Sequence, residues 1–285
     1  IYGPAYGLLA SAVCQVGVLI PGLIKQDAQY TFLWNLHHPG LRDVMRLLIP
    51  NVLAVSIAST AIIVDTSFAS YLPDKASIAA MQNAYLLFAF PLTFVAQAIG
   101  QALLPQITIQ ATHHHYVRMR MTVLKVVGGA VLLSIPAAIV LYVLGKPAIR
   151  VLFQHGAFTA HSSALTSTAL LGYAVGLTGV TAEALLILSF YALKDARTPL
   201  LLNIVALAIR ISLIVFLFKV LTGKYAILAI PLAASLTSTV HASLLCLILF
   251  IRLRAKVKTD KGMQRLQLRR ESVKRPTLSS SNLKR

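Results

Sequence analysis

Four ionisable side chains fall inside long apolar stretches of this sequence: Asp65, Glu183, Arg210 and His241. A charge held in hydrocarbon is costly unless it is paired or meets water, so each marks a candidate for handling an ion or a charged substrate. With a helical rise of ~1.5 Å per residue, Glu183 is placed ~10 Å, Arg210 ~16 Å and His241 ~15 Å from the face that the basic C-terminal tail makes cytosolic. Glu183 and Arg210 lie on consecutive helices joined by the short "ALKDARTP" turn, and an arginine side chain bridges the ~6 Å difference in level. The two are predicted to pair. The pair is either a lock within the bundle, or Arg210 is a cation for an anionic headgroup and Glu183 a coupling site for Na⁺ or H⁺. His241 either joins a proton relay or hydrogen-bonds a neighbouring helix. Asp65, in "IIVDTSFAS" near the outer end of its helix, is predicted to snorkel or to cap the next turn.

Uncharged polar residues form two further candidates. Asn83, Gln97 and Gln101 fall within ~40° of one another at helical spacing, a narrow stripe suited either to a hydrated cavity or to interhelical hydrogen bonds. Ser56, Ser59 and Thr60 cluster in one turn of another apolar stretch, where small residues also favour close helix packing. The run "HHHYVRMR", His113 to Arg120, lacks the i,i+4 spacing that sets two histidines on one helix face for zinc, so contact with lipid headgroups is expected there. No phosphate-cradling glycine loop, no Ser/His/Asp set and no paired catalytic carboxylates occur, and an enzyme is not expected. Cys14 and Cys246 both lie in apolar spans, which argues against a disulfide framework or a metal site.

The elements that must position these residues are membrane helices. The chain is 57% hydrophobic and 12% charged, against about 25% charged in soluble domains. Seven apolar stretches, at 4–24, 44–67, 84–106, 122–144, 163–190, 198–219 and 226–251, approach or exceed the ~20 residues needed to span a bilayer. Only a helix satisfies its backbone within one such segment, so the fold class is an all-α membrane protein with seven transmembrane helices. Pro21, Pro50, Pro91, Pro136 and Pro231 are expected to kink five of them. Twelve of the 26 basic residues lie between Arg252 and Arg285, which places that tail in the cytosol. Its loop partners are then Lys25, Arg42, Arg46, Arg118, Arg120, Lys125, Lys194 and Arg197, against Lys75, Lys146, Arg150, Lys219 and Lys224 outside. The formal charge of +18 is therefore local to a juxtamembrane tail that suits anionic lipids rather than nucleic acid. Beyond about Lys258 the tail is expected to be disordered. The chain opens with Ile1, and it is expected to be a piece of a longer polypeptide.

An ordered series of segments carries a resemblance. "YGLLASAVCQVGVLIPGL", "LLIPNVLAVSIASTAIIVDTSFASYLP", "FPLTFVAQAIGQALLPQI", "VLFQHGAFTA", "ALLGYAVGL" and "FYALKDARTP" succeed one another in a way that resembles the MurJ/MviN family of lipid II flippases in the MOP exporter superfamily. The resemblance implies a MATE-like C-terminal lobe plus one helix of the N-terminal lobe. Residues 1–24 would be the last transmembrane helix of the N-terminal lobe and 25–43 a cytosolic inter-lobe linker. Residues 44–251 would be the C-terminal six-helix lobe, and 252–285 the basic cytosolic tail. His155 and Gly156 would form an external structural turn between two helices. The implied activity is flipping of an undecaprenyl-diphosphate-linked peptidoglycan precursor across the bacterial plasma membrane by alternating access, with no cofactor beyond a coupling ion. The rest of the N-terminal lobe would come from the same or a partner chain. Arg210, Glu183, His241, Asn83, Gln97, Gln101 and Ser59 are the cavity candidates. Where many members read "YADRLMEFP", this chain reads "QNAYLLFAFP", with Tyr85, Leu86 and Ala89 at the charged positions. That loss keeps two rivals open, a flippase for another polyprenyl-linked oligosaccharide and a non-transporting membrane scaffold.

Overall fold

In the computed structural model, residues 3–24, 39–154 and 158–274 are described, and all regular structure among them is helical. The chain divides into two units. The first, Ile1–Met45, contributes α1 (Gly3–Ile24) and the first turns of α2 (Pro39–Ser70). The second, Arg46–Arg285, carries the rest of α2, then α3 (Ser77–Leu92), α4 (Ala98–Thr112), α5 (Tyr116–Phe153), α6 (Ala160–Val175), α7 (Leu177–Ala192), α8 (Arg197–Val220) and α9 (Ala229–Lys274). Each predicted apolar stretch lies in helical structure, but 84–106 is divided between α3 and α4 and 163–190 between α6 and α7. Four spans among the described residues are long and apolar enough to cross a membrane, or five if the bent pair α6 and α7 counts as one.

Within the second unit, α3 lies along α6, while α7 and α8 both lie along α9. Two apolar clusters result. One gathers Met81, Phe88, Leu170, Tyr173 and Ile230 from α3, α6 and the start of α9. The other gathers Leu103, Met119, Leu185, Phe190 and Leu249 from α4, α5, α7 and the later part of α9. Along α7 the first cluster ends with Val180 and the second begins with Ala182, so Glu183 stands at their junction. On α9, His241 lies between Ala234 of the first and Ala242 of the second.

The helix breaks differ from those that proline alone predicts. Pro136 lies within a continuous α5, and Pro231 occupies the first turn of α9, where a missing N–H costs no intrahelical bond. The decisive bend, of 50°, is at Gly176 between α6 and α7. A Cβ there would stand 2.3 Å from Ser235 Oγ and 2.6 Å from Ser235 Cα, so only glycine allows α9 this close. The Ser235 hydroxyl donates to the Gly172 carbonyl at 2.6 Å. It thereby supplies a partner beside the break, as lipid-embedded backbone requires.

Two further expectations are corrected here. A π-helical turn, Thr93–Gln97, joins α3 to α4 after Pro91. Its extra residue rotates the downstream helix by about 100°, so Asn83 no longer shares a face with Gln97 and Gln101. The tail expected to be disordered instead continues α9 as far as Lys274. Extending an anchored helix needs no new nucleation, and Lys, Arg, Gln and Leu are good helix formers. His155 and Gly156 lie outside the described residues.

Candidate functional site

A cavity of about 530 Å³ opens between α2, α3, α6, α7, α8 and α9. Its wall is mostly apolar, as a site for a small number of oriented polar contacts should be. Polar side chains interrupt it, Asp65, Gln82, Tyr85, Glu183, Arg210 and Ser235 among them. A second, smaller space of about 150 Å³ adjoins the same residues, since Glu183, Arg210 and Ser238 line both.

The ion pairs are not those predicted. Arg210 on α8 turns to Asp65 on α2, with Nε donating to Oδ1 at 2.8 Å and a terminal guanidinium nitrogen donating to Oδ2. This is the two-pronged arrangement for which the planar guanidinium is suited. The two side chains are 18% and 11% exposed, so the pair is largely withdrawn from its surroundings. Glu183 instead meets His241 on α9, whose Nδ1 lies 2.9 Å from Glu183 Oε1. Sequence adjacency of α7 and α8 suggested a hairpin, but both helices lie along α9 and make little contact with each other. That places His241, not Arg210, opposite Glu183. Asp65 neither snorkels nor caps; it is 8% exposed because Arg210 reaches it from across the bundle.

Aromatic rings close one side of the cavity. Tyr173 stacks on Phe88 with centroids 5.5 Å apart and meets Tyr85 edge-on at 5.7 Å. Tyr85, where the resemblance implies an acidic residue, thus belongs to a ring cluster in the cavity wall. Leu86 is 64% exposed and does not line the cavity.

The remaining candidates separate. Ser59 lines the cavity, with its hydroxyl donating back to the Val55 carbonyl at 3.0 Å. Asn83, half-buried, lines neither space, and Gln97 and Gln101 are exposed outside both. Gln82 and Tyr173 are lining residues that sequence reasoning missed. Tyr173 carried a faint signal, since a phenol amid apolar and small residues in "ALLGYAVGL" needs a partner for its hydroxyl. At the turn between α7 and α8, Asp195 accepts from the Thr198 hydroxyl at 2.7 Å and its backbone N–H at 3.2 Å, and from Arg252. Near the other end, His161 donates to Asp74.

The model of the family described as "Lipid II flippase MurJ" matches residues 1–275. The chain belongs to the MurJ family. It is 30% identical over 263 residues to the lipid II flippase MurJ of Burkholderia cenocepacia, covering 90% of this chain and 49% of that relative. A probable lipid II flippase MurJ of Bdellovibrio bacteriovorus is 30% identical over 211 residues, 74% of this chain and 40% of that one. Among solved structures, a lipid II flippase MurJ in an inward closed conformation superposes with a TM-score of 0.60 at 22% identity, over 81% of this chain and 47% of that one. A MATE structure in the straight conformation gives 0.72 at 14% identity, over 88% and 56% respectively. These two superpositions show that the chain shares the fold of those MurJ and MATE structures. The MurJ-family chain is thus a multi-pass membrane protein of the bacterial inner membrane, and it spans about half the length of the relatives it matches.

Proposed function

We propose that this chain forms part of a flippase that carries lipid II, an undecaprenyl-diphosphate-linked peptidoglycan precursor, across the inner membrane. The supporting observation is the cavity of about 530 Å³, whose mostly apolar wall carries the two-pronged Arg210–Asp65 pair and Glu183. Such a space suits a lipid whose headgroup is charged and whose chain is not. In this reading the bundle from α2 to α9 is one lobe, and it moves against an N-terminal lobe to which α1 contributes. That rocking around a midplane site is how repeat-built transporters alternate access. The lobe itself catalyses no bond change; it exchanges a headgroup between two aqueous faces. The C-terminal tail is cytosolic, where its basic residues meet anionic lipids.

Depletion of the native gene, with analysis of the lipid intermediates that accumulate, tests this reading. Accumulated lipid II supports it. A different lipid-linked sugar assigns another substrate, and unchanged lipid pools overturn transport in favour of a scaffold. Replacing Arg210 by Gln in the complementing copy should reproduce the depletion phenotype.

A further inference from the structure

Gln82, Tyr85 and Phe88 recur every third residue on α3, which sets them side by side on one face of that helix, and all three line the larger cavity. The Tyr85 ring is held by two neighbours. It meets Tyr173 of α6 edge-on at 5.7 Å, and Phe88 at a tilt of 43° and a separation of 5.9 Å. Phe88 and Tyr173 are buried, whereas Tyr85 stays 48% exposed. Much of a fixed ring is therefore left free for a ligand, beside a Gln82 side chain that is also exposed.

The charged groups of the same wall offer acceptors rather than a free cation. Among the described residues, Arg210 is the one cationic residue in this lining, and it gives Nε and a terminal nitrogen to Asp65. Glu183 meets His241 Nδ1 at 2.9 Å. An ionised carboxylate has about four lone-pair sites, so Asp65 and Glu183 each keep sites to spare. A phosphate would meet two carboxylates here and no unpaired cation. An acyl chain would leave the spare acceptors and the Gln82 amide dry, which is costly. A pyranose suits both halves of the wall. Its flatter face carries slightly positive C–H groups that pack on the negative face of an aromatic ring. Its rim of hydroxyls donates to carboxylates and accepts from an amide. The cavity, about 530 Å³, falls within the range of ~300–1,000 Å³ found for small-molecule sites.

We propose that this wall is a carbohydrate subsite, in which a pyranose of the lipid-linked precursor stacks on Tyr85 while Gln82, Asp65 and Glu183 hydrogen-bond its hydroxyls. This deepens the flippase reading and rests on it. The sugar and the diphosphate then meet different surfaces, and only the sugar is recognised by this wall. Tyr85 stands where the resemblance implies an acidic residue, so in this chain a stacking surface takes the place of a charge.

The test uses the purified full chain in nanodiscs and two probes, undecaprenyl diphosphate and undecaprenyl diphosphate bearing one N-acetylglucosamine. The sugar-bearing lipid should bind more tightly than the bare one, by about fivefold to tenfold. In Tyr85→Leu, which keeps an apolar side chain but removes the ring, that ratio should fall toward one. Tyr85→Phe, which keeps the ring, should retain most of it. Equal or weaker binding of the sugar-bearing lipid overturns the subsite and leaves the flippase reading in place. A ratio that is the same in wild type and Tyr85→Leu overturns the stacking on Tyr85. Failure of both lipids to bind overturns the flippase reading and the subsite with it. Should Tyr85→Leu not fold, Gln82→Ala, at an exposed position, decides by the same comparison: a lowered ratio supports the subsite and an unchanged one overturns it.

Discussion

Replacing Arg210 by Met leaves Asp65 as a buried carboxylate without its counter-ion, and the geometry sets the size of the effect. The guanidinium and carboxylate lie in direct contact, with one bond at 2.8 Å, so their charge centres are about 4 Å apart. At an effective dielectric near 20, two unit charges at that separation attract by about 4 kcal/mol. Their side-chain exposures of 18% and 11% are low enough that little of this is screened away. Desolvation opposes the attraction, so the pair itself is worth less than this figure, whereas breaking it strands a charge at a cost of about 3–5 kcal/mol. Arg210→Met and Asp65→Asn should each destabilise the protein by about 3 kcal/mol, while the double variant should lose only about 1. Reversible unfolding of the purified protein in mixed micelles reads all four states of this cycle. These losses correspond to a coupling of about 5 kcal/mol, most of it the cost of stranding one charge in each single variant. If the single losses are small and add up in the double variant, the pair does not hold α2 to α8 and the reasoning is refuted.

Three further outcomes come from separate parts of the fold. Gly176→Val should destabilise by at least about 1–3 kcal/mol, because its Cβ has no room beside the Ser235 backbone; a thermal midpoint equal to wild type would mean that α9 does not seat against the α6–α7 bend. Asp195→Ala should cost about 1–2 kcal/mol through its hydrogen bonds to Thr198 at the start of α8, whereas Arg252→Gln, with its side chain 47% exposed, should cost much less in the same unfolding measurement. At the α2–α3 loop, hydrogen bonds from His161 and then from the Ala76 backbone hold the Asp74 carboxyl below the usual carboxylate range. Its folded pKa is depressed, so the contact is complete above the unfolded value of about 3.9 and is lost as pH falls through the lower folded value. A spin label at Lys75→Cys should become mobile only on that acid side, and His161→Ala should make it mobile at neutral pH as well.

Composition made the helical membrane fold legible, because a backbone in hydrocarbon has so few options. Glu183, Arg210 and His241 were equally legible as candidates, since charges in apolar spans stand out against their surroundings, and all three line one or both of the spaces. Their partners were not. Residue depth along a helix comes from counting, but which helix faces which comes from packing, and here α9 lies along both α7 and α8. Asp65 was misread for the same reason, as its distance from Arg210 in sequence hid their meeting in space. The stripe of Asn83, Gln97 and Gln101 was split for a local cause, a π turn that resets the helical register after Pro91. The bend at Gly176 carried a weak sequence signal, because glycine in a membrane helix marks close packing as often as a break.

The charge balance of the cavity wall constrains how an anion can be held there. Among the described residues, the charged groups lining the larger cavity are Asp65, Glu183 and Arg210. Arg210 is bound on two sides by Asp65, and Tyr85 brings an aromatic ring where the resemblance implies a charge. This wall therefore carries a formal net charge of −1 and repels a diphosphate. Positive charge must then arrive from outside this wall, or Arg210 must leave Asp65 to meet the anion. Releasing Arg210 would strand a buried carboxylate. Charge from outside the wall is the cheaper route, and the two are separable: only release of Arg210 requires the Asp65 contact to break when undecaprenyl diphosphate binds. A double-mutant coupling between Asp65 and Arg210 that persists with undecaprenyl diphosphate bound supports charge from outside the wall, and its collapse on binding refutes it.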